Sequence, residues 1–281
     1  MKVAGVTVIY NPKEDINDCI RTYINDIDKL FVVDNSNRDN NSLILKDKKI
    51  EYIPNNKNLG IAKALNIAAS KAYEEKYDYI LTMDQDSKFE KDNLKKLIAF
   101  TEKCDINKTG IVSPWHITKE LNKKPKDDIE EVIEVMTSGN LVNLKLWKKI
   151  KGWKDYFFID NVDIEYCMNL NKHGFKVIRY NKVSLTHNLG NITKRKLLWK
   201  TVTCTNHNYI RQYYMIRNLY YLSDLYKNDY PQNIEKMKRG ALGRFKNILI
   251  FEKDKYRKIR NMYRGYKDYK KKVQGEYPYN N

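Results

Sequence analysis

Asp84-Gln85-Asp86 sets two carboxylates one residue apart, directly after the apolar run 79–83. A short apolar run of this kind reads as a buried strand, so both carboxylates leave its carboxyl end. Ligands of open α/β sheets gather at that edge, and a hard divalent cation there would join Asp oxygens to the phosphates of a nucleotide. The same spacing also describes a strand running into a solvated turn, so the companions matter. Tyr10-Asn11-Pro12 and Asp34-Asn35-Ser36 stand at two further strand exits. A tyrosine ring offers a stacking face for a base, and a carboxylate can accept from a base N–H or a ribose hydroxyl. Taken singly, each is an ordinary turn. Asn58-Leu59-Gly60 opens a long helix, where Asn suits the cap and Gly allows close backbone approach. Neither GxGxxG nor GK[ST] is present, so phosphates would need a metal rather than a glycine-rich cradle.

A second acidic cluster comprises Asp160, Asp163 and Glu165. Acids in a first helical turn favour the macrodipole whatever else they do. The apolar residues 157–159 before them press this turn toward a core, and a half-buried carboxylate facing a cleft suits a general base.

The elements that must position these groups follow from periodicity. Strands are expected over 3–10, 30–34, 50–53, 79–83 and 110–113, with helical stretches over 16–27, 61–76 and 94–103. This alternation predicts an α/β fold with a mostly parallel sheet covered on both faces. Further on, 125–131 reads as a charged loop, 132–136 as a strand, 137–139 as a turn, and 144–150 and 162–173 as helices, the second ended by Gly174. Short strands at 176–180 and 184–186 precede helices at 209–226, 232–250 and 253–272. A soft boundary near residue 195 divides the chain into 1–195 and a helical appendage, 196–281.

The formal charge of +18 is unevenly placed. Residues 1–190 carry 31 Lys+Arg against 28 Asp+Glu, whereas 191–281 carry 22 against 7 together with 13 of the 22 tyrosines. A basic, aromatic tail points to an anionic partner, nucleic acid or a cytoplasmic lipid leaflet. In 253–272, Tyr256, Ile259, Met262, Tyr263, Tyr266 and Tyr269 keep helical spacing among many lysines and arginines. That fits either a helix lying on an anionic membrane or an aromatic stripe packed on the domain. The four cysteines lack CxxC spacing and the four histidines lack HxxxH spacing, so neither a disulfide framework nor a helical zinc site is indicated. Without a membrane-length apolar run or a signal-peptide cleavage site, the chain is expected in the cytoplasm, with peripheral attachment to the inner face of the membrane left open.

One series of residues, in order from about 3 to 218, resembles the bacterial rhamnosyltransferase branch of family 2 glycosyltransferases. It comprises Tyr10-Asn11-Pro12, Val32-Val33-Asp34-Asn35-Ser36, Asn58-Leu59-Gly60-Ile61-Ala62, Met83-Asp84-Gln85-Asp86-Ser87 and Thr137-Ser138-Gly139. Phe158-Ile159-Asp160, Val162-Asp163-Ile164-Glu165, His187-Asn188-Leu189-Gly190, and Arg211 with Tyr213-Tyr214 and Arg217-Asn218 continue it. The resemblance implies a GT-A fold, a Rossmann-like mixed sheet, with a nucleotide-diphosphate sugar donor and inversion at the anomeric carbon. Tyr10, Asn11, Pro12, Asp34, Asn58, Gly60, Asp84 and Gln85 would then hold the nucleotide. Asp84-Gln85-Asp86 matches the DxD motif, implying Mg2+ or Mn2+ on Asp86, with Asp84 on ribose or a metal-bound water. His187 matches the HxxG histidine, a further metal ligand or diphosphate contact. Asp163 matches the catalytic base, but Val162 stands where the family usually has Glu, which leaves Asp163 and Asp160 both open for the proton. Arg211 or Arg217 would clamp the diphosphate, and Ser138, Gly139, Trp153 and Asp160 would shape the acceptor site.

The expected activity is metal-dependent transfer of a sugar, favoured as L-rhamnose from dTDP-L-rhamnose, to a cell-surface or capsular glycan, lipid-linked where the tail meets a membrane. UDP-sugars are the alternative donors. A nucleic-acid-binding protein is the rival of another class, but no helix-turn-helix, RNP or zinc-finger signature accompanies the charge. A sugar nucleotidyltransferase is the second enzyme rival, and it lacks its Gly-rich, basic loop after the first strand.

Overall fold

The computed structural model describes residues 1–13, 15–117, 125–186, 193–197 and 200–279, with only the backbone at 194, 196, 197, 200, 201 and 203. Strand β1 (Val3–Ile9) is buried over its whole length, and β2 (Lys29–Asp34) from Leu30 onward. Strands with no polar face belong in the middle of a sheet covered on both sides. The remaining strands are β3 (Ile50–Pro54), β4 (Tyr79–Asp84), β5 (Lys88–Phe89), β6 (Thr109–Ile117), β7 (Ile129–Glu131), β8 (Asn140–Asn143) and β9 (Lys176–Thr186). They form one sheet in the order β3-β2-β1-β4-β8-β6-β9-β5, with β7 added to β9. The pairs β1–β2, β1–β4 and β2–β3 are parallel, so four carboxyl ends share one edge. Beyond β4 the sheet becomes mixed: β8 runs antiparallel to both β4 and β6.

The helices of this part are α1 (Ile16–Ile20), α2 (Ile61–Glu74), α3 (Asn93–Thr101), α4 (Leu144–Lys149) and α5 (Val162–Lys172). Helix α2 buries Ala62, Ala64, Leu65, Ala68, Ala69 and Ala72. Five alanines among these let it sit close on β1, β2 and β4.

Three expectations are corrected here. The stretch 132–136 is not a strand; β7 forms at 129–131 instead, inside the stretch read as a loop. Its charges are the reason: β7 pairs with β9, and Glu130 and Glu131 meet Arg179 and Lys176 across the ladder. The helix expected over 16–27 stops at Ile20, with a 3-10 turn at Ile24–Asp26. The strands at 176–180 and 184–186 are one strand, β9. Strand β8 was unread because asparagine stands at both its ends. Asn143 is nevertheless buried, its Nδ2 donating to Ile106 O and Thr109 O while its Oδ1 caps α4 through Leu146 N.

Two compact units result, Met1–Asp155 with Asp163–Asn188, and Tyr156–Val162 with Leu189–Asn281. The second contains the hairpin β10 (Thr193–Leu197) and β11 (Lys200–Cys204), then helices α6 (Tyr209–Tyr226), α7 (Pro231–Phe251) and α8 (Lys255–Lys270). Helices α6 and α8 cross closely at Gly265, where a Cβ would overlap the Tyr213 carbonyl oxygen. Of the aromatic positions noted in α8, Tyr266 and Tyr269 pack on Tyr220, and Met262 joins Ile216 and Ile248 in a small core. Tyr256 and Tyr263 face outward.

Candidate functional site

Each strand exit on the shared edge is tied to its neighbour by side-chain hydrogen bonds. Tyr10 N donates to Gln85 Oε1 at 2.9 Å, joining the exits of β1 and β4. Asn11 N donates to Ser36 Oγ at 2.8 Å, joining β1 to β2. Asn35 Nδ2 donates to Gly60 O at 3.1 Å, and Asn55 Nδ2 donates to Asn35 Oδ1 at 2.8 Å, which adds β3 and the start of α2. Ser138 Oγ receives Asp84 N at 3.1 Å, fixing β4 against the 137–139 turn. The structure therefore brings Tyr10, Asn11, Gly60, Asp84, Gln85 and Ser138 onto one continuous rim. The Tyr10 ring is half exposed there, as a stacking surface must be.

Asp34 plays another part than contact alone. Its carboxylate accepts from Ser36 N and Asn40 Nδ2, both at 2.8 Å, and from the Tyr52 hydroxyl. Burial pushes its pKa up, but these hydrogen bonds outweigh burial and hold it below the usual value. With about four lone-pair directions on a carboxylate, one at most is left for a ligand. Asp34 shapes the 34–40 loop first. Beside that loop, Pro12, Lys13 and Asp15 face Arg38, Asp39, Asn40, Ser42 and Leu43 across a cavity of about 770 Å³. A larger hollow of about 1070 Å³ lies along the outer edge of β3, lined by none of the predicted residues. The smaller one adjoins the rim.

Asn58 does not cap α2; it closes a turn by accepting from Gly60 N at 2.9 Å, and Gly60 is the N-cap residue. Gly60 has φ +79°, which a side chain would disfavour. The 137–139 turn is pinned from below by buried His116, whose Nε2 lies 2.6 Å from Ser138 O. Sequence reasoning passed over His116 because its partner lies 22 residues downstream. At Gly139, φ is +82° and a Cβ would meet Leu185 and Pro114 at 2.9 Å.

The acids after β8 separate clearly. Glu165 is buried and paired with Lys154 at 3.0 Å. Asp160 is gripped by Arg211, Nε on Oδ2 at 3.3 Å and Nη2 on Oδ1. Asp163 is half-buried in the first turn of α5, where Oδ1 accepts from Ile164 N at 2.9 Å.

Three placements overturn expectations. Arg217 is fully buried, its Nη1 on Gly275 O at 2.6 Å and its Nη2 on Tyr156 O at 3.0 Å, so it is a structural cation and no surface clamp. Trp153 is buried with its ring stacked on Tyr166, centroids 4.6 Å apart, leaving no open face for a sugar. The carboxylate of Asp160 is taken by Arg211, which removes it as an acceptor contact and ties up the fork of Arg211 itself. His187 lies outside the described residues.

Asp86 is exposed, and its carboxylate has no hydrogen-bond or ion-pair partner among the described residues. Among those residues no group of three His, Cys, Asp or Glu side chains converges as a complete metal cage. One or two carboxylates with substrate phosphates and water is the usual way Mg2+ is held, and hard oxygen donors suit Mn2+ as well. Asp86 with Asp84 fits that manner of binding.

A sequence profile described as "Glycosyl transferase family 2" matches residues 6–160, more than half of the chain. The chain belongs to glycosyl transferase family 2. The matched span carries the whole rim, from Tyr10 to Ser138, so the geometry above is that of a family 2 enzyme. The chain is 26% identical over 256 residues to the "dTDP-rhamnosyl transferase RfbF" of Shigella flexneri, covering 82% of this chain and 81% of that protein. Solved structures share its GT-A fold. Staphylococcal TarS residues 1–349, in complex with UDP-GlcNAc, gives a TM-score of 0.64 at 13% identity over 97% of this chain and 83% of that one. GalNAc-T7 with UDP, GalNAc and Mn2+ gives 0.62 at 12% identity over 83% of this chain; this family 2 enzyme spans 49% of the length of that structure.

Proposed function

We propose that this glycosyltransferase uses a nucleotide-diphosphate sugar, favoured as dTDP-L-rhamnose, and transfers the sugar with inversion to a hydroxyl of a glycan acceptor. The observation that carries the reading is the rim itself: exits of β1, β2 and β4 and the start of α2 stitched together beside Asp86, whose carboxylate has no partner among the described residues. The likeness to a dTDP-rhamnosyl transferase over most of both chains supports the rhamnosyl donor. The UDP ligands named for the two solved structures keep UDP-sugars as the second reading.

Asp86 and Asp84 are the residues that would hold Mg2+ or Mn2+, together with His187 by its match to the family motif. The bound cation would supply Lewis-acid and electrostatic assistance to the departing diphosphate. Tyr10 offers its exposed ring to the base, and the backbone at Asn11 and Gly60 bounds the nucleotide. Asp163 takes the proton of the acceptor hydroxyl as its oxygen bonds the anomeric carbon; the bond to the diphosphate oxygen breaks on the opposite face. Asp163 is preferred over Asp160 because it matches the family's catalytic-base position and stands half-buried in the first turn of α5. For Arg211 to reach a diphosphate it would have to exchange Asp160 for it. The acceptor is proposed to be lipid-linked, which would bring the enzyme to the inner face of the membrane.

Release of nucleotide diphosphate from dTDP-rhamnose and from UDP-sugars, with acceptor glycan and Mn2+, tests the reading. Asp163→Asn should lower turnover by about 10^2 to 10^4 while sparing nucleotide affinity. An active Asn variant would remove Asp163 from the mechanism.

A further inference from the structure

The outward stripe of α7 mixes aliphatic and cationic side chains. Leu242, Leu249 and Ile250 are 56%, 45% and 52% exposed. Lys238, Lys246 and Lys253 stand on the same stripe or just past its end, all exposed. Folding does not require the three aliphatics, because the other face of α7 already supplies the packing: Ala241, Phe245 and Ile248 meet Ile216 of α6 and Met262 of α8. Single exposed apolar residues are ordinary, but three on one helical stripe beside lysines form a patch.

Helix α8 repeats the pattern. Tyr256 and Tyr263, two turns apart, are 76% and 64% exposed, and Arg260 and Lys267 share their stripe. Of the nearby acids, Glu252 is buried on Lys258 and Asp268 is buried beneath Tyr213, while Glu235 and Asp254 are exposed, Glu235 paired with Arg239; exposed lysines and arginines still outnumber them on both helices.

We infer that the outward faces of α7 and α8 form a docking surface for an anionic lipid bilayer, with α7 lying in the headgroup plane. A bilayer boundary uses every part of the stripe: leucine and isoleucine enter the acyl region, tyrosines sit at the headgroups, and lysines extend along the apolar surface to reach lipid phosphates. A nucleic acid would use the cations and gain nothing from Leu242, Leu249 and Ile250. No helix among the described residues is long and apolar enough to cross a membrane, so the contact is one of lying on the surface. The inference deepens the proposal of a lipid-linked acceptor, yet it needs neither donor nor acceptor to be tested.

The test is co-sedimentation of the full chain with vesicles of phosphatidylcholine alone and of phosphatidylcholine mixed with phosphatidylglycerol, at low and high salt. Binding to the mixed vesicles, weakened by salt, and little binding to the neutral ones is the expected result. The triple variant L242S/L249S/I250S, altered only at exposed positions, should bind mixed vesicles about tenfold to a hundredfold more weakly. A thermal shift with nucleotide diphosphate, run on the same variant, should match that of the unaltered chain and so separates failure of docking from failure of the transferase reading. Equal binding of the triple variant to mixed vesicles, equal binding of the unaltered chain to both vesicle types, or no binding to either would overturn the inference. So would tight binding to a duplex RNA without binding to anionic vesicles.

Discussion

At the scale of single residues, three acids close in sequence do three different things. Glu165 is 1% exposed and paired with Lys154, so Glu165→Ala should destabilise the fold by about 2–4 kcal/mol, read as a lower denaturant midpoint. Asp163→Asn, at a half-buried helix start, should leave that midpoint within about 0.5 kcal/mol while turnover falls. If both variants lose stability alike, Asp163 is structural and the proposed base is wrong. The sequence could show that Asp163 and Glu165 begin a helix, because acids in a first turn follow the dipole. It could not show which one turns inward, because Lys154 and Asp160's partner Arg211 come from other segments. The burial of Trp153 and Arg217 is hidden in the sequence for the same reason. A lone Trp or Arg carries no mark of the ring or the carbonyls that will enclose it.

At the scale of elements, the parallel half of the sheet was legible because continuous apolar runs separated by amphipathic stretches leave few alternatives. Helix α6 is legible to its ends, although it buries polar Gln212, Arg217 and Asn218 beside its apolar residues. Strands β7 and β8 were not, because glutamates and asparagines form them only when cross-strand partners and buried carbonyls satisfy their side chains. Packing of α6 on α8 depends on a backbone contact at Gly265. Gly265→Ala should push the helices apart and lower stability by about 1–3 kcal/mol, measured by thermal or denaturant unfolding. Arg217 and Asn218 of α6 hold the carbonyls of Tyr156, Phe157, Ile159 and Asp160, in a segment where Phe158 and Asp160 are at positive φ. Arg217→Met leaves those carbonyls unpaired and should cost about 2–3 kcal/mol. A surface role for Arg217 would instead leave stability unchanged.

At the scale of the whole molecule, the charge asymmetry is plain from the sequence, and packing divides the tyrosines of the tail into buried and exposed, the exposed ones lying on the proposed bilayer contact. The second unit also carries a pH dependence. Burial first, and then the Arg211 guanidinium with help from Arg244, lowers the pKa of His207 from 6.5 to about 4, against the opposing pull of Asp160 and Glu252. The fold thus favours the neutral ring. Its stabilising contribution is complete above about pH 6.5, where the unfolded chain is neutral too, and is lost as pH falls toward about 4. With solvent screening allowed for, that loss should be roughly 1–2 kcal/mol. Unfolding followed at pH 7 and at pH 4.5 should show a smaller difference in His207→Gln than in the unaltered chain; an identical difference would mean that His207 takes no part.

The rim at the carboxyl ends of β1, β2 and β4 is where these scales meet, since it makes sense as a donor site only if Asp86 holds a cation against a diphosphate. Thermal unfolding with dTDP, in the presence and absence of Mn2+, asks this directly, because a ligand bound by the folded state alone raises the melting temperature. The unaltered chain should gain a Mn2+-dependent increment with dTDP that Asp86→Ala loses. An increment that survives Asp86→Ala, or a nucleotide shift in the unaltered chain that ignores the metal, would contradict the account.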